Sequence, residues 1–166
     1  MREMSVIPPA IALLSQLLKD KGHDTDVFDT TFYKFDDEIS IGNTDNSVQK
    51  SLQARPLLNV DDDNLHFKKH SIDPAIDLRK KIQEYKPNLL AVSCSETTFM
   101  RGLRLISSTK DLGVKNIFGG VFPTFAPDLV MKHKDVDMLC VGEGENALVD
   151  LVELICEGKD YSNVTN

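Results

Sequence analysis

The chain has 166 residues, the size of one domain, and its 41% hydrophobic and 27% charged residues exclude wholesale disorder. Nineteen Lys and Arg against 26 Asp and Glu leave a net charge of -7; no basic stripe gathers, so nucleic acid is excluded as a first partner. No apolar run approaches the roughly 20 residues that cross a bilayer, and Pro8-Pro9 interrupts the opening apolar stretch before a signal peptide can form, so a cytoplasmic protein with no membrane partner is expected.

Pro9 opens a helix with Ile11, Leu14 and Leu18 on one side, ending near Gly22. Asp24 to Asp29 then reads as a strand. Asp73-Pro74 has the form of an N-cap followed by proline at the first helical position, and Ala75, Leu78, Ile82 and Tyr85 recur at helical spacing. Lys86-Pro87 stops that helix, because the residue before proline avoids the α region. Leu89 to Val92 is an apolar run without polar alternation, as in a parallel strand covered on both faces. A helix carrying Phe99, Leu103 and Ile106 follows, with Gly113 at its end.

Asn116 to Phe118 is a brief strand running into Gly119-Gly120, and Pro127 opens a short helix expected to bury Leu129 and Val130. Val136 to Val141 is the next strand. The last helix places Leu148, Leu151, Val152 and Ile155 on one face, with Gly158 as its C′ residue. Alternating helix and strand predicts an α/β fold, a three-layer sandwich whose Rossmann-like or flavodoxin-like parallel sheet has helices on both faces.

Two stretches depart from this rhythm. Residues 36–70 are rich in Asp, Asn, Ser and Gln without a sustained period, which reads as an irregular polar insertion. A doubly wound sheet begins with a strand, yet few residues precede Pro8. Either Met4 to Ile7 forms a stunted strand or the first strand lies upstream of this chain; the second is the expectation. Cys94, Cys140 and Cys156 are odd in number and widely spaced, as for free core thiols in a reducing compartment. Asp61-Asp62-Asp63 lacks the spaced ligands and tight turn of a cation loop and reads as solvated acid.

Ligands of open α/β sheets bind beyond the carboxyl ends of the strands. The segments there are Ser93-Cys94-Ser95-Glu96-Thr97-Thr98, Gly119-Gly120-Val121-Phe122-Pro123-Thr124 and Gly142-Glu143-Gly144-Glu145. All three combine small residues, hydroxyls and backbone N–H groups that a large polar ligand can approach. Taken singly each has a plainer reading: Gly119-Gly120 and the serines as turns, Glu143 and Glu145 as partners of a helix dipole. Their recurrence after three successive strands favours a binding rim.

The order of a small-hydroxyl strand end, Gly-Gly-x-x-Pro-Thr (119–124) and Val-Asp-x-x-x-x-Gly-Glu-Gly-Glu (136–145) resembles the N-terminal cobalamin-binding domain of radical S-adenosylmethionine (SAM) proteins. Pro8 to Leu14 and Gly22 to Asp29 are similar to that family's first helix and second strand. The likeness covers about four-fifths of the chain, leaving out residues 36–70.

The resemblance implies a corrinoid across the C-terminal edge of the sheet. Its nucleotide tail would pass Ser93, Ser95, Gly119 and Gly120, with Thr97, Thr98 and Thr124 on the tail phosphate or corrin amides. Pro123 completes the second segment, and Gly142, Glu143 and Gly144 the third, next to the tail base. No metal ligand and no catalytic residue is expected from this chain. Corrinoid domains that ligate cobalt carry Asp-x-His-x-x-Gly after the first strand, and His23, His66, His70 and His133 lack that context; His23 and His133 read as surface residues.

The Cys-x-x-x-Cys-x-x-Cys pattern of the family's iron-sulfur module does not occur here. The resemblance therefore implies that the 4Fe-4S cluster, SAM and catalysis belong to a C-terminal radical SAM domain of the same polypeptide, with residues 161–166 starting the linker. The domain would not be an enzyme by itself; its parent would be a methyltransferase or cyclase. Two rivals remain from the residues alone. One is a flavodoxin-like or nucleotide-binding domain, against which no G-x-G-x-x-G or Walker pattern follows a strand. The other is a receiver-like interaction module without a small ligand.

Overall fold

A computed structural model of the chain describes residues 9–30, 33 and 72–164. Two compact units divide it, Ile7–Phe28 with Ala75–Asn166 and Met1–Val6 with Asp29–Pro74. Nearly all the described residues belong to the first unit. The polar stretch 36–70, the stunted strand at Met4 to Ile7, Asp61 to Asp63, His66 and His70 lie outside the described residues.

The helices follow the periodicity of the sequence. α1 spans Pro9–Asp20 and closes at Gly22, whose φ of 85° is left-handed. There the N–H of His23 returns to the Leu18 carbonyl at 3.0 Å and that of Gly22 to Lys19 at 2.9 Å, the paired bonds of a Schellman motif. α2 spans Pro74–Tyr85 and buries Leu78 and Ile82, whereas Tyr85 is exposed. It ends at Lys86 with a left-handed φ of 54°, not the extended conformation expected before proline.

Strand β1 is Leu89–Ser93, α3 is Glu96–Ser107, and a 3₁₀ turn at Lys110–Leu112 leads through Gly113 to β2, Lys115–Gly119. Two short helices follow, α4 at Val121–Phe125 and α5 at Pro127–Val130; α5 buries Val130 but, against expectation, leaves Leu129 exposed. β3 is Met138–Leu139 and α6 is Glu145–Cys156. α6 ends at Gly158 as α1 ends at Gly22, with Lys159 N–H on the Leu154 carbonyl at 2.9 Å and Gly158 N–H on Ile155 at 3.1 Å.

The described sheet has the order β1-β2-β3, every pair parallel. Leu90 pairs with Asn116, Ala91 with Ile117 and Ser93 with Gly119; Phe118 pairs with Leu139. Neighbouring residues along each strand face opposite layers. Ile117, Leu89, Met138 and Cys140 pack with Leu148 and Leu151 of α6 and with Leu14 and Leu18 of α1. Phe118, Leu90, Val92 and Leu139 pack with Phe99, Leu103 and Ile106 of α3, Phe122 of α4 and Val130 of α5. Helices thus cover both faces, and the expected three-layer α/β sandwich is the fold.

Two strand expectations need correction. Asp24 to Asp29 forms no strand, and at Val27 side chains take the backbone groups. Val27 N–H donates to Asp26 Oδ1 at 2.7 Å, and the Val27 carbonyl accepts from Lys81 Nζ at 3.0 Å. β3 is shorter than Val136 to Val141, since the Asp137 N–H donates to the Asn116 side chain at 3.2 Å and Val136 N–H turns back to His133.

That Asn116–Asp137 pair fixes the register of β2 and β3 at their N-terminal ends. Asn116 is fully buried. Its amide donates to Asp137 Oδ2 at 2.7 Å and to the Asp135 carbonyl at 2.9 Å, and its backbone N–H also reaches Asp137 Oδ2. Burial pushes the Asp137 carboxyl up, but hydrogen bonds from Lys110, the Asn116 backbone and Lys115 outweigh it and hold it below the ordinary value.

Candidate functional site

Because the three strands are parallel, their C-terminal ends lie along one edge, and backbone bonds carry the row beyond the strands themselves. Cys94 N–H donates to the Gly119 carbonyl at 3.0 Å and Cys140 N–H to the Phe118 carbonyl at 2.8 Å. The segments after β1, β2 and β3 therefore sit side by side. The structure brings the sequence-predicted residues together there, with differing roles.

In the first segment Ser95 precedes α3, and its N–H donates to Thr98 Oγ1 at 2.9 Å. Ser95 Oγ lies 3.1 Å from Thr97 Oγ1 and 3.2 Å from Thr98 Oγ1, so three hydroxyls share one small cluster at the helix start. Ser93, Ser95, Thr97 and Thr98 are all exposed. Cys94 between the serines is buried, and burial pushes its thiol up to about 11. It is a neutral packing group, as the sequence implied.

The second segment turns at Gly120, whose φ is 102°, a conformation that side chains strongly disfavour. A Cβ built there would stand 2.7 Å from the Cys94 carbonyl oxygen and 3.1 Å from the Cys94 nitrogen. A side chain at Gly120 would thus meet the backbone of the chain's own first segment. Gly119 is looser, with a Cβ there 3.6 Å from that of Cys140. Pro123 is fully buried beneath the second segment. Thr124 Oγ1 donates to the Gly120 carbonyl at 2.8 Å and accepts the Gly142 N–H at 3.0 Å. Its hydroxyl joins two segments, a role the sequence did not reveal.

The third segment turns at Gly142, with φ of 90°. Gly144 is different: its φ of -104° suits any residue, and a Cβ there would lie 3.6 Å from Cys140 Sγ. Cys140 Sγ points to the Glu143 carbonyl at 3.9 Å, and Glu143 itself is exposed. The two described histidines differ from their expected surface character. His133 stacks edge-on against Phe99 at 5.3 Å between ring centroids, and His23 Nε2 is buried without a hydrogen-bond partner among the described residues.

With this geometry in place, comparison with known families is decisive. The family model of the B12 binding domain matches residues 47–152, a span holding all three strands and all three rim segments. The chain belongs to the B12-binding domain family. No curated protein and no solved structure matches it. The parallel sheet with helices on both faces is the Rossmann-like arrangement of B12-binding domains. Among the described residues of this B12-binding domain, no helix is long and apolar enough to cross a membrane.

Proposed function

We propose that this B12-binding domain holds a corrinoid across the C-terminal edge of its sheet, for methyl transfer or redox chemistry performed with a radical SAM domain of the same polypeptide. The observation that carries the reading is the alignment of three segments, Ser93 to Thr98, Gly119 to Thr124 and Gly142 to Gly144, along one edge of a domain of this family, with Ser93, Ser95, Thr97, Thr98, Gly120 and Gly142 exposed. The radical SAM partner, with its iron-sulfur cluster and SAM, rests on the resemblance of the Gly-Gly-x-x-Pro-Thr and Val-Asp-x-x-x-x-Gly-Glu-Gly-Glu segments.

The residues present fit the group. A corrinoid has a broad ring with peripheral amides and a tail bearing a phosphate. Ser93, Ser95 and Thr97 offer hydroxyls that donate to amide carbonyls or phosphate oxygens. The turns at Gly120 and Gly142, both at positive φ, keep the middle of the rim low. Thr124 acts through those turns by tying them together, and Pro123 packs beneath. Cobalt supplies the alkyl-transfer or electron-transfer chemistry; the domain's share is binding, orientation and shielding.

Absorption titration of the chain with hydroxocobalamin tests this reading. A saturable change in the corrin bands, with coloured ligand co-migrating with protein in gel filtration, is the expected result. Free cobalamin separating fully from the protein would overturn it. Replacing each of the four histidines with alanine in turn should leave the bound spectrum unchanged, because none stands in the rim segments. A shifted spectrum in any one variant would refute that part.

A further inference from the structure

The two outer strands of the described sheet are not alike. β3 presents two residues, Met138 and Leu139, and a strand that short offers little backbone to another chain. β1 presents five, Leu89–Ser93, and among the described residues only β2 pairs with it. The ladder fixes where its other backbone groups point. Cys94 N–H turns to β2, where the Gly119 carbonyl takes it. Backbone groups alternate sides along a strand, so those of Leu89, Ala91 and Ser93 point away from β2. Ala91 and Ser93 are exposed and Leu89 is half-buried.

Nothing in the sequence protects this edge. Outward-facing backbone on an edge strand is a template for another strand, and charged residues, proline or a bulge normally prevent the pairing. Leu89 to Ser93 contains no charged residue and no proline, and its register with β2 runs without a bulge. Leu-Leu-Ala-Val is instead the composition of a strand with neighbours on both sides. Apolar surface continues beside it, since Leu89 shares its layer with α1, a helix that buries none of its Ile and Leu side chains.

We propose that the outer edge of β1 is an interface between two copies of this chain, pairing antiparallel with the same strand of the second copy about a two-fold axis at Ala91. Two observations select a second copy. A two-fold interface brings one surface against itself, so the strand must be self-complementary. About Ala91, Leu90 falls opposite Val92 and Leu89 opposite Ser93, and no like charges meet. The second observation is electrostatic. The chain carries a net charge of -7, yet Pro87 to Ser95 are all uncharged. A basic foreign strand would find no acidic side chain there to read, whereas two net-negative copies can approach at this edge without opposing charges in contact. The interface runs along the side of the sheet, and Ala91 stands outside the rim segments, so the proposal does not depend on the corrinoid reading.

Sedimentation equilibrium of the full chain over a range of concentrations tests the interface. The mass should rise from that of one chain to that of two and stop there, because a two-fold contact closes. Ala91→Lys places two ammonium groups opposite each other at the axis, and like charges directly opposed disfavour pairing. At this exposed position it should leave the thermal melt unchanged and weaken the dimer about 10-fold or more. Ala91→Ser, small and neutral, should dimerise as the wild type does. Amide exchange of the wild-type chain gives a reading that needs no variant: the outward N–H of Ala91 should slow as concentration rises. A chain that stays monomeric, a mass that climbs past two copies, or a dimer left intact by a folded Ala91→Lys would overturn the proposal. So would an Ala91 amide whose exchange is independent of concentration.

Discussion

Thr124 Oγ1 accepts the backbone N–H of Gly142 at 3.0 Å while donating to the carbonyl of Gly120 at 2.8 Å. One side chain thereby couples the turn after β2 to the turn after β3, and both turns sit at positive φ. Thr124→Val keeps the shape and removes both bonds. It should cost about 1 kcal/mol of stability and lower hydroxocobalamin affinity several-fold, whereas Thr124→Ser should retain both properties. Melts and titrations of the two variants check this; equal behaviour of Val and Ser would contradict the coupling.

Gly120 and Gly119 are adjacent in sequence but differ in what holds them. At Gly120 a side chain meets both a φ of 102° and the Cys94 backbone at 2.7 Å. Gly120→Ala should cost at least about 1–3 kcal/mol without any ligand present. Gly119→Ala meets only Cys140 at van der Waals distance and should stay within about 1 kcal/mol of wild type. Denaturant melts of the ligand-free proteins decide the matter, and similar losses in both would show that Cys94 yields.

Asp137 gives the β2–β3 junction a pH dependence. Its carboxyl is held below the ordinary 3.8 by Lys110, Asn116 and Lys115 against the upward push of burial. A depressed carboxylate stabilises the fold above the unfolded value, and that contribution is lost as pH falls through the folded value. Asp137→Asn should therefore cost about 2–3 kcal/mol at pH 7, a gap that closes on acidification below pH 3.8. Urea melts of both proteins across that range would show it. A constant gap would mean that the charge is unimportant.

The three thiols should react in order of access. Cys156 is exposed, Cys140 partly buried and Cys94 buried, with the Cys94 thiol raised to about 11. Iodoacetamide at pH 8 followed by mass spectrometry should label Cys156 first and Cys94 last, since only the thiolate reacts. Rapid labelling of Cys94 in folded protein would contradict its burial.

Much of this fold was legible in the sequence. Helix ends at Gly22 and Gly158 could be read because a glycine after an amphipathic run is a local signal, and both became Schellman closures. The strand ends at Ser93 and Gly119 were legible from short apolar runs meeting small residues. Asp24 to Asp29 was misread because strand composition does not reveal whether a neighbouring ladder takes the backbone, and here Asp26 and Lys81 do so. The candidate residues fall on one edge of the sheet, but their packing roles were not separable in the sequence. The packing of Gly120 on Cys94, the burial of Pro123 and the bond from Gly142 to the Thr124 hydroxyl depend on contacts between segments far apart in sequence. Asp137 read as a residue of the Val136 to Val141 strand, and its bonds to the buried Asn116 at the N-terminal end of β2 were not visible in the sequence.

The central claim is that a corrinoid lies on the C-terminal edge of the sheet. Hydrogen–deuterium exchange of the chain, with and without saturating hydroxocobalamin, locates the ligand directly. Amides of Ser93 to Thr98, Gly119 to Phe125 and Val141 to Gly144 should slow on binding, while those of Lys115 and Asp135 to Asp137 at the other end of β2 and β3 should not. Protection confined to the Lys115 and Asp137 end, or no protection in a complex that demonstrably holds cobalamin, would contradict it.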